Sequence, residues 1–217
     1  MLDLVLPLEC GGCGASSTRW CSRCARELTV RDDEPHLVAP RTDPGVPVFA
    51  LGRYAGARRR AIVAAKEHGR ADLLPPLANA LSDGLQRLLT WGMVVAPLIV
   101  VPAPTRRSAA RRRGGDPVAR IAMTATTGLP DVTMIPALRL RAWARDSVGL
   151  SGSDRQRNLA GRIRLTRAGA RHLAGGEKCD VVLVDDVVTT GATATESVRT
   201  LRAAGLDVAA MLAVAHA

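Results

Sequence analysis

Apolar and polar positions change period repeatedly along this chain. From residue 47 onward, short apolar runs alternate with stretches whose apolar residues recur every three or four positions. VFALGRY (48–54) predicts a strand, and RRRAIVAAKEHG (58–69) predicts a helix ending at Gly69. LLPPLANALSDGLQRLL (73–89) predicts a longer amphipathic helix, with Pro75 and Pro76 near a start where a missing N–H is tolerated. APLIVVPAP (96–104) reads as a buried strand stopped by prolines. SAARRRGGDPVARIAMTATTG (108–128) reads as a helix whose first part is disturbed by Gly114 and Gly115. VTMIPAL (132–138) predicts a strand, and RAWARDSVGLSGSDRQRN (141–158) has no clean period and reads as a loop. CDVVLVDD (179–186) is the clearest strand and is expected to end on its two carboxylates. ATESVRTLRAAG (194–205) predicts a helix stopped by Gly205, and LDVAAMLAVAHA (206–217) a closing strand.

Strand and helix alternate throughout, so the expected fold class is α/β, with a mostly parallel sheet covered on both faces. The first residues lack this pattern. The expected organisation is a metal-binding knuckle over 1–30, a linker over 31–46 and the main domain over 47–217. The linker is polar and proline-rich, with room for one short edge strand.

Four of the five cysteines explain how the first segment folds. Cys10 and Cys13 form one Cys-x-x-Cys pair, and Cys21 and Cys24 form another seven residues further on. This is the spacing of a zinc ribbon. Four thiolates would complete a tetrahedral shell with no position for water, which makes the expected Zn2+ structural. Iron and a redox pair are the competing readings. Gly11 and Gly12 permit the tight turn and let backbone N–H groups approach the thiolates. Trp20 is expected to cover the knuckle, and Cys179 to be a buried apolar residue.

Charge narrows the choice of partner. Residues 1–50 hold five Arg against seven acidic residues, while the remainder carries 25 basic against 13 acidic. The main domain therefore favours polyanions, and both nucleic acids and phosphorylated metabolites qualify. Only five residues are aromatic, so platforms for stacking bases are scarce. No stretch reaches the length of a membrane span. MLDLVLPLEC lacks the basic start of a signal peptide, and the chain is expected to be cytoplasmic.

The candidate chemistry sits in VVLVDDVVTTGATAT (181–195). In a parallel sheet, ligands gather beyond the carboxyl ends of the strands. Asp185 and Asp186 fall there, pointing to opposite faces because strand side chains alternate. One carboxylate can take ribose hydroxyls while the other meets basic neighbours or metal-bound water. The turn Thr189, Thr190, Gly191, Ala192 and Thr193 then leads into a helix whose first N–H groups can hold a phosphate. Simple helix capping is the plainer alternative. An ATPase magnesium strand is another, but the chain has no G-x-x-x-x-G-K-[ST] loop.

VLVDDVVTTGAT resembles the phosphoribosyl-pyrophosphate signature of type I phosphoribosyltransferases. Together with the cysteine knuckle, with 54-YAGARRRAIVAAKEHG-69, 100-VVPAPTRRSAARRRGG-115 and 155-RQRNLAGR-162, it resembles the ComF family over almost the whole chain. The resemblance implies a type I phosphoribosyltransferase-like domain that binds phosphoribosyl pyrophosphate with Mg2+ and passes phosphoribose to a nitrogen acceptor. It implies that Asp185 and Asp186 contact the ribose, and that Thr189 to Thr193 hold the 5-phosphate. Ala103, Pro104, Thr105, Arg106 and Arg107 would hold the pyrophosphate, with Arg106 also stabilising it as it leaves. Arg145 and Arg155 would serve a covering loop. The alternative it implies is a non-catalytic role in DNA uptake, with single-stranded DNA or a helicase as partner and Arg58–Arg60 and Arg111–Arg113 tracking the backbone. The sequence departs from the family at Arg113-Gly114-Gly115-Asp116-Pro117, where many members carry an aromatic residue and Asn-Gln, and at Ser147, where a glutamine is common. Both departures bear on acceptor recognition.

Overall fold

The computed structural model describes residues 8–105, 115–141, 161–173 and 179–217. After the cysteine segment comes helix α1 (Ser22–Leu28). Two short strands follow, β1 (His36–Leu37) and β2 (Val48–Ala50). Helix α2 (Gly56–Glu67) leads through a 3-10 turn (Ala71–Leu73) into α3 (Leu74–Thr90). Strand β3 (Leu98–Pro102), helix α4 (Pro117–Thr126) and strand β4 (Val132–Met134) come next. Strands β5 (Leu138–Leu140) and β6 (Ile163–Leu165) precede α5 (Arg167–Leu173). Strand β7 (Asp180–Val188), helix α6 (Ala192–Arg202) and strand β8 (Val208–His216) complete the described chain.

Six strands form one sheet in the order β1-β2-β8-β7-β3-β4. All its pairs are parallel except β1 with β2. The parallel strands bury apolar residues on both faces, as helix-covered sheets must. Along β7, Val182 and Val184 join a core with α2, α3 and α4, whereas Val181 and Leu183 join a second core with α6, β5 and β6. Helix α3 supplies Leu74, Leu77, Leu81, Leu85 and Leu88 to the first core at helical spacing. Helix α4 starts on Asp116, whose carboxylate accepts the N–H groups of Val118 and Ala119, with Pro117 directly behind. Among the described residues, no helix is long and apolar enough to cross a membrane.

Four expectations change. Strand β7 does not end on its carboxylates: Val187 and Val188 go on pairing with Ala215 and His216 of β8. The segment 132–138 is not one strand; β4 stays in the main sheet, while beyond Pro136 the chain enters β5, which pairs antiparallel with β6. Proline has no N–H to contribute to a ladder, which favours a break there. Neither β6 nor α5 follows from the apolar pattern. The strand expected over 48–54 stops at Ala50, leaving a bridge between Arg53 and His216. The short edge strand allowed for within 31–46 is β1.

Candidate functional site

Two sites emerge. The first is the cysteine cluster. Backbone bonds from Cys10 to Ala15 and from Gly14 to Cys10 fold the first pair into a tight turn. The second pair sits at the start of α1, with Cys21 as its N-cap. All four sulfur atoms lie within 4.8 Å of one another, close enough to share one metal ion such as zinc. Cys10 and Cys24 are buried and Cys13 is exposed. Burial pushes the Cys10 thiol up, but backbone N–H groups of Cys21, Cys13 and Gly12 outweigh it and bring the thiol to about 6. Two of these N–H groups, from Gly12 and Cys21, lie 3.4 Å from its Sγ. Burial pushes the Cys24 thiol up, a cost that a cation at the cluster would offset.

The expected role of the glycines is met in part. Gly12 does bring its N–H to Cys10, and it must also be small: a Cβ there would sit 2.5 Å from Cys24 Sγ and 2.8 Å from the Trp20 ring. Gly11 is small for a different reason, because a Cβ would meet the Leu73 side chain at 2.5 Å. Trp20 covers the cluster as expected.

Arginines fasten the cluster to α2 and to the 3-10 turn that follows it. Arg60 donates to the Gly12 carbonyl. Arg70 donates to the carbonyls of Glu9 and Arg19, and is itself held by both oxygens of Asp72. Arg58 turns inward, is 6% exposed and donates to the Val214 carbonyl at 3.1 Å. Burial thus removes Arg58 from the expected tracking of a nucleic-acid backbone, whereas Arg59 and Arg60 are exposed. Arg58 is buried, Arg60 is engaged by the knuckle and Arg59 lies 5.8 Å from the Tyr54 ring.

The second site is the carboxyl edge of the main sheet. Asp185 and Asp186 are adjacent on β7, and the alternation of the strand breaks beside them: Val187 packs against the α2-side core and Val188 lies in the α6-side core. Asp186 is 5% exposed on the α2 side, and its Oδ2 lies 2.7 Å from Lys66 Nζ. Burial lowers the proton affinity of Lys66, but the Asp186 charge outweighs it and leaves the lysine above its ordinary value. Asp185 is half-buried, and its Oδ1 accepts the Asp186 N–H at 2.8 Å. Burial first, then the neighbouring Asp186 charge, hold the Asp185 carboxyl well above the ordinary carboxylate range.

Beyond β7, Thr189, Thr190 and Gly191 make a turn into α6. Gly191 adopts φ +82°, a conformation that favours glycine. Its neighbour is a chain segment: a Cβ there would collide with the Thr42 carbonyl and lie 2.9 Å from Pro40 Cβ. Thr42 N–H in turn donates to the Thr190 carbonyl at 2.8 Å. Thr195 Oγ1 accompanies this contact, reaching the carbonyls of Gly191 at 3.0 Å and Asp43 at 3.4 Å. The first N–H groups of α6, at Ala192 and Thr193, precede the helical ladder, which begins with the bond from Thr195 to Gly191.

Strand β3 brings the third component. Ala103 N–H donates to the Val184 carbonyl at 2.7 Å, so the loop Ala103, Pro104 and Thr105 leaves the sheet beside Asp185. Thr105 Oγ1 donates to Asp116 Oδ2 at 2.7 Å, joining the last of these three residues to the cap of α4. Arg106 and Arg107 lie outside the described residues, as do Arg111–Arg113, Arg145, Ser147 and Arg155.

Sequence reasoning missed Lys66, Asp116 and the segment around Thr42. Only for Lys66 was there a signal, because it is one of two lysines among 30 basic residues. His68 is the C-cap of α2, its backbone N–H donating to the Ala64 carbonyl. Cys179, expected to be buried, is only half-buried ahead of β7. No known family model matches the chain, and no curated protein matches it.

Proposed function

We propose that the chain binds phosphoribosyl pyrophosphate and transfers its phosphoribose to a nitrogen acceptor, as the ComF resemblance implies. One observation carries this reading. Two adjacent acids of one strand, a threonine turn opening a helix and the exit loop of the adjacent strand meet at one edge of a parallel sheet.

In this reading each component has its own work. The turn Thr189 to Thr193 and the N-terminus of α6 hold the 5-phosphate through backbone N–H groups and hydroxyls. Asp185 accepts hydrogen bonds from the ribose hydroxyls. Asp186, anchored by Lys66, adds a fixed negative charge that favours cationic character at the reacting sugar carbon. Arg106 and Arg107, directly after Thr105, match the pyrophosphate oxygens bidentately. The donor set suits Mg2+, which prefers hard oxygen ligands, and Asp185 and Asp186 are the residues that would compensate its charge. Bound with the pyrophosphate, that ion would offset the charge gathering on the leaving group. In the same reading the cysteine cluster holds a structural zinc ion.

Calorimetry with phosphoribosyl pyrophosphate and magnesium tests the reading. Saturable binding is expected, and Asp185→Asn combined with Asp186→Asn is expected to abolish it. Pyrophosphate release across a panel of bases and amines then identifies the acceptor. A chain that serves only as a partner of single-stranded DNA or a helicase would release none.

A further inference from the structure

Strands β5 and β6 carry a surface that the carboxyl edge does not use. They pair Leu138 with Leu165, Arg139 with Arg164 and Leu140 with Ile163. Leu138 and Ile163 are buried in the α6-side core, and Leu140 and Leu165 pack against it. Arg139, Arg141 and Arg164 occupy the alternate positions, where all three are exposed.

Arg139 and Arg164 are direct cross-strand partners, an arrangement in which like charges repel. Residues 138–141 and 161–173 contain no Asp or Glu to relieve it. Residues of both strands and of α6, Arg199 among them, line a groove of about 810 Å³. Arg199 is already held by Glu196 at 2.9 and 2.7 Å. Among the described residues no salt bridge reaches Arg139, Arg141 or Arg164. The ribbon thus gathers guanidinium groups in one open groove, with Glu196 of α6 the acid that acts on Arg164.

The spacing and the lining select the anion. Arg139 and Arg141 repeat every second residue, about 7 Å apart along a strand. An extended peptide presents alternate side chains at this same repeat, and carboxylates pair bidentately with guanidinium. Among the described residues none that lines the groove is aromatic, so these residues offer no stacking face of the kind single-stranded nucleic acid uses. Its floor is alkyl, from Leu140, Leu165, Ala203 and Ala204.

We propose that this groove binds an extended acidic segment of a partner protein, whose carboxylates at every second residue bridge the arginines of β5 and β6. The groove uses the C-terminal half of α6, whereas the proposed sugar-phosphate site uses its N-terminus, so the two stand or fall separately.

Fluorescence anisotropy with a labelled peptide alternating Glu and Ser tests the proposal. A Gln–Ser peptide and an oligothymidylate of equal charge are the comparisons. The Glu–Ser peptide is expected to bind, more weakly as salt rises, and the Gln–Ser peptide is not. Arg139→Gln with Arg164→Gln is expected to weaken binding about ten-fold, in keeping with two exposed ion pairs. The melting temperature of that variant should hold or rise, because a repelling pair is removed. Absent or unaltered peptide binding would overturn the proposal. So would an oligothymidylate that binds at least as tightly and loses the same factor, which would make the groove a nucleic-acid surface. A clear fall in melting temperature would mark the arginines as structural and overturn it as well.

Discussion

Lys66 shows how one side chain divides the work of two neighbouring acids. It pairs with Asp186 at 2.7 Å and leaves Asp185 to bear the cost of burial next to that charge. A carboxyl whose proton affinity is raised by the fold contributes stability while protonated. That contribution is complete below its unfolded value near 3.8 and is lost as pH climbs toward the raised folded value. Asp185→Asn removes the ionisation while keeping the oxygen that accepts the Asp186 N–H. The variant is therefore expected to melt higher than the parent at neutral pH, and the gain should shrink as pH falls toward the ordinary carboxylate value. Melting curves across that pH range check this, and a lower melting temperature at neutral pH would refute it. If the proposed function is right, the same change weakens sugar-phosphate binding, so stability and binding would move in opposite directions.

Among the elements, the turn into α6 depends on a segment distant in sequence. Pro40 and Thr42 pack against Gly191, and Thr42 bonds to Thr190. Arg202 extends the contact by donating to the Gly45 carbonyl at 3.0 Å. The segment between β1 and β2 thus braces both ends of α6. Gly191→Ala is expected to cost about 2 kcal/mol or more, because it combines a left-handed backbone with a collision against a carbonyl. Urea unfolding measures the loss, and an unchanged midpoint would contradict the described packing. The sequence places this glycine at the turn before a helix but does not show what lies against it. The observed neighbour is the chain itself, a contact that no local pattern announces.

At the scale of the whole molecule, the cysteine cluster is tied to α2 and the 3-10 turn after it by Arg60, Arg70 and Leu73, and Leu28 of α1 enters the core shared by α2, α3 and α4. Metal analysis is expected to find one zinc ion per chain. Chelation should lower the melting temperature by at least about 5 °C and shift Trp20 emission, with the β-sheet circular dichroism retained. An unchanged melting temperature would show that the cluster does not support the fold. By itself, the sequence determined the elements whose pattern is strong: the long amphipathic helix, the valine strand, the alternating order and the Cys-x-x-Cys spacing. Their physics is local, set by periodicity, chain reversal and ligand chemistry. Only the tertiary structure decided that β7 runs past its acids, because β8 continues to pair with it. It likewise decided that Lys66 meets Asp186, that Arg58 turns inward and that β5 leaves the main sheet to join β6. Each of these outcomes depends on residues far apart in the chain, and only packing brings such residues within range of one another.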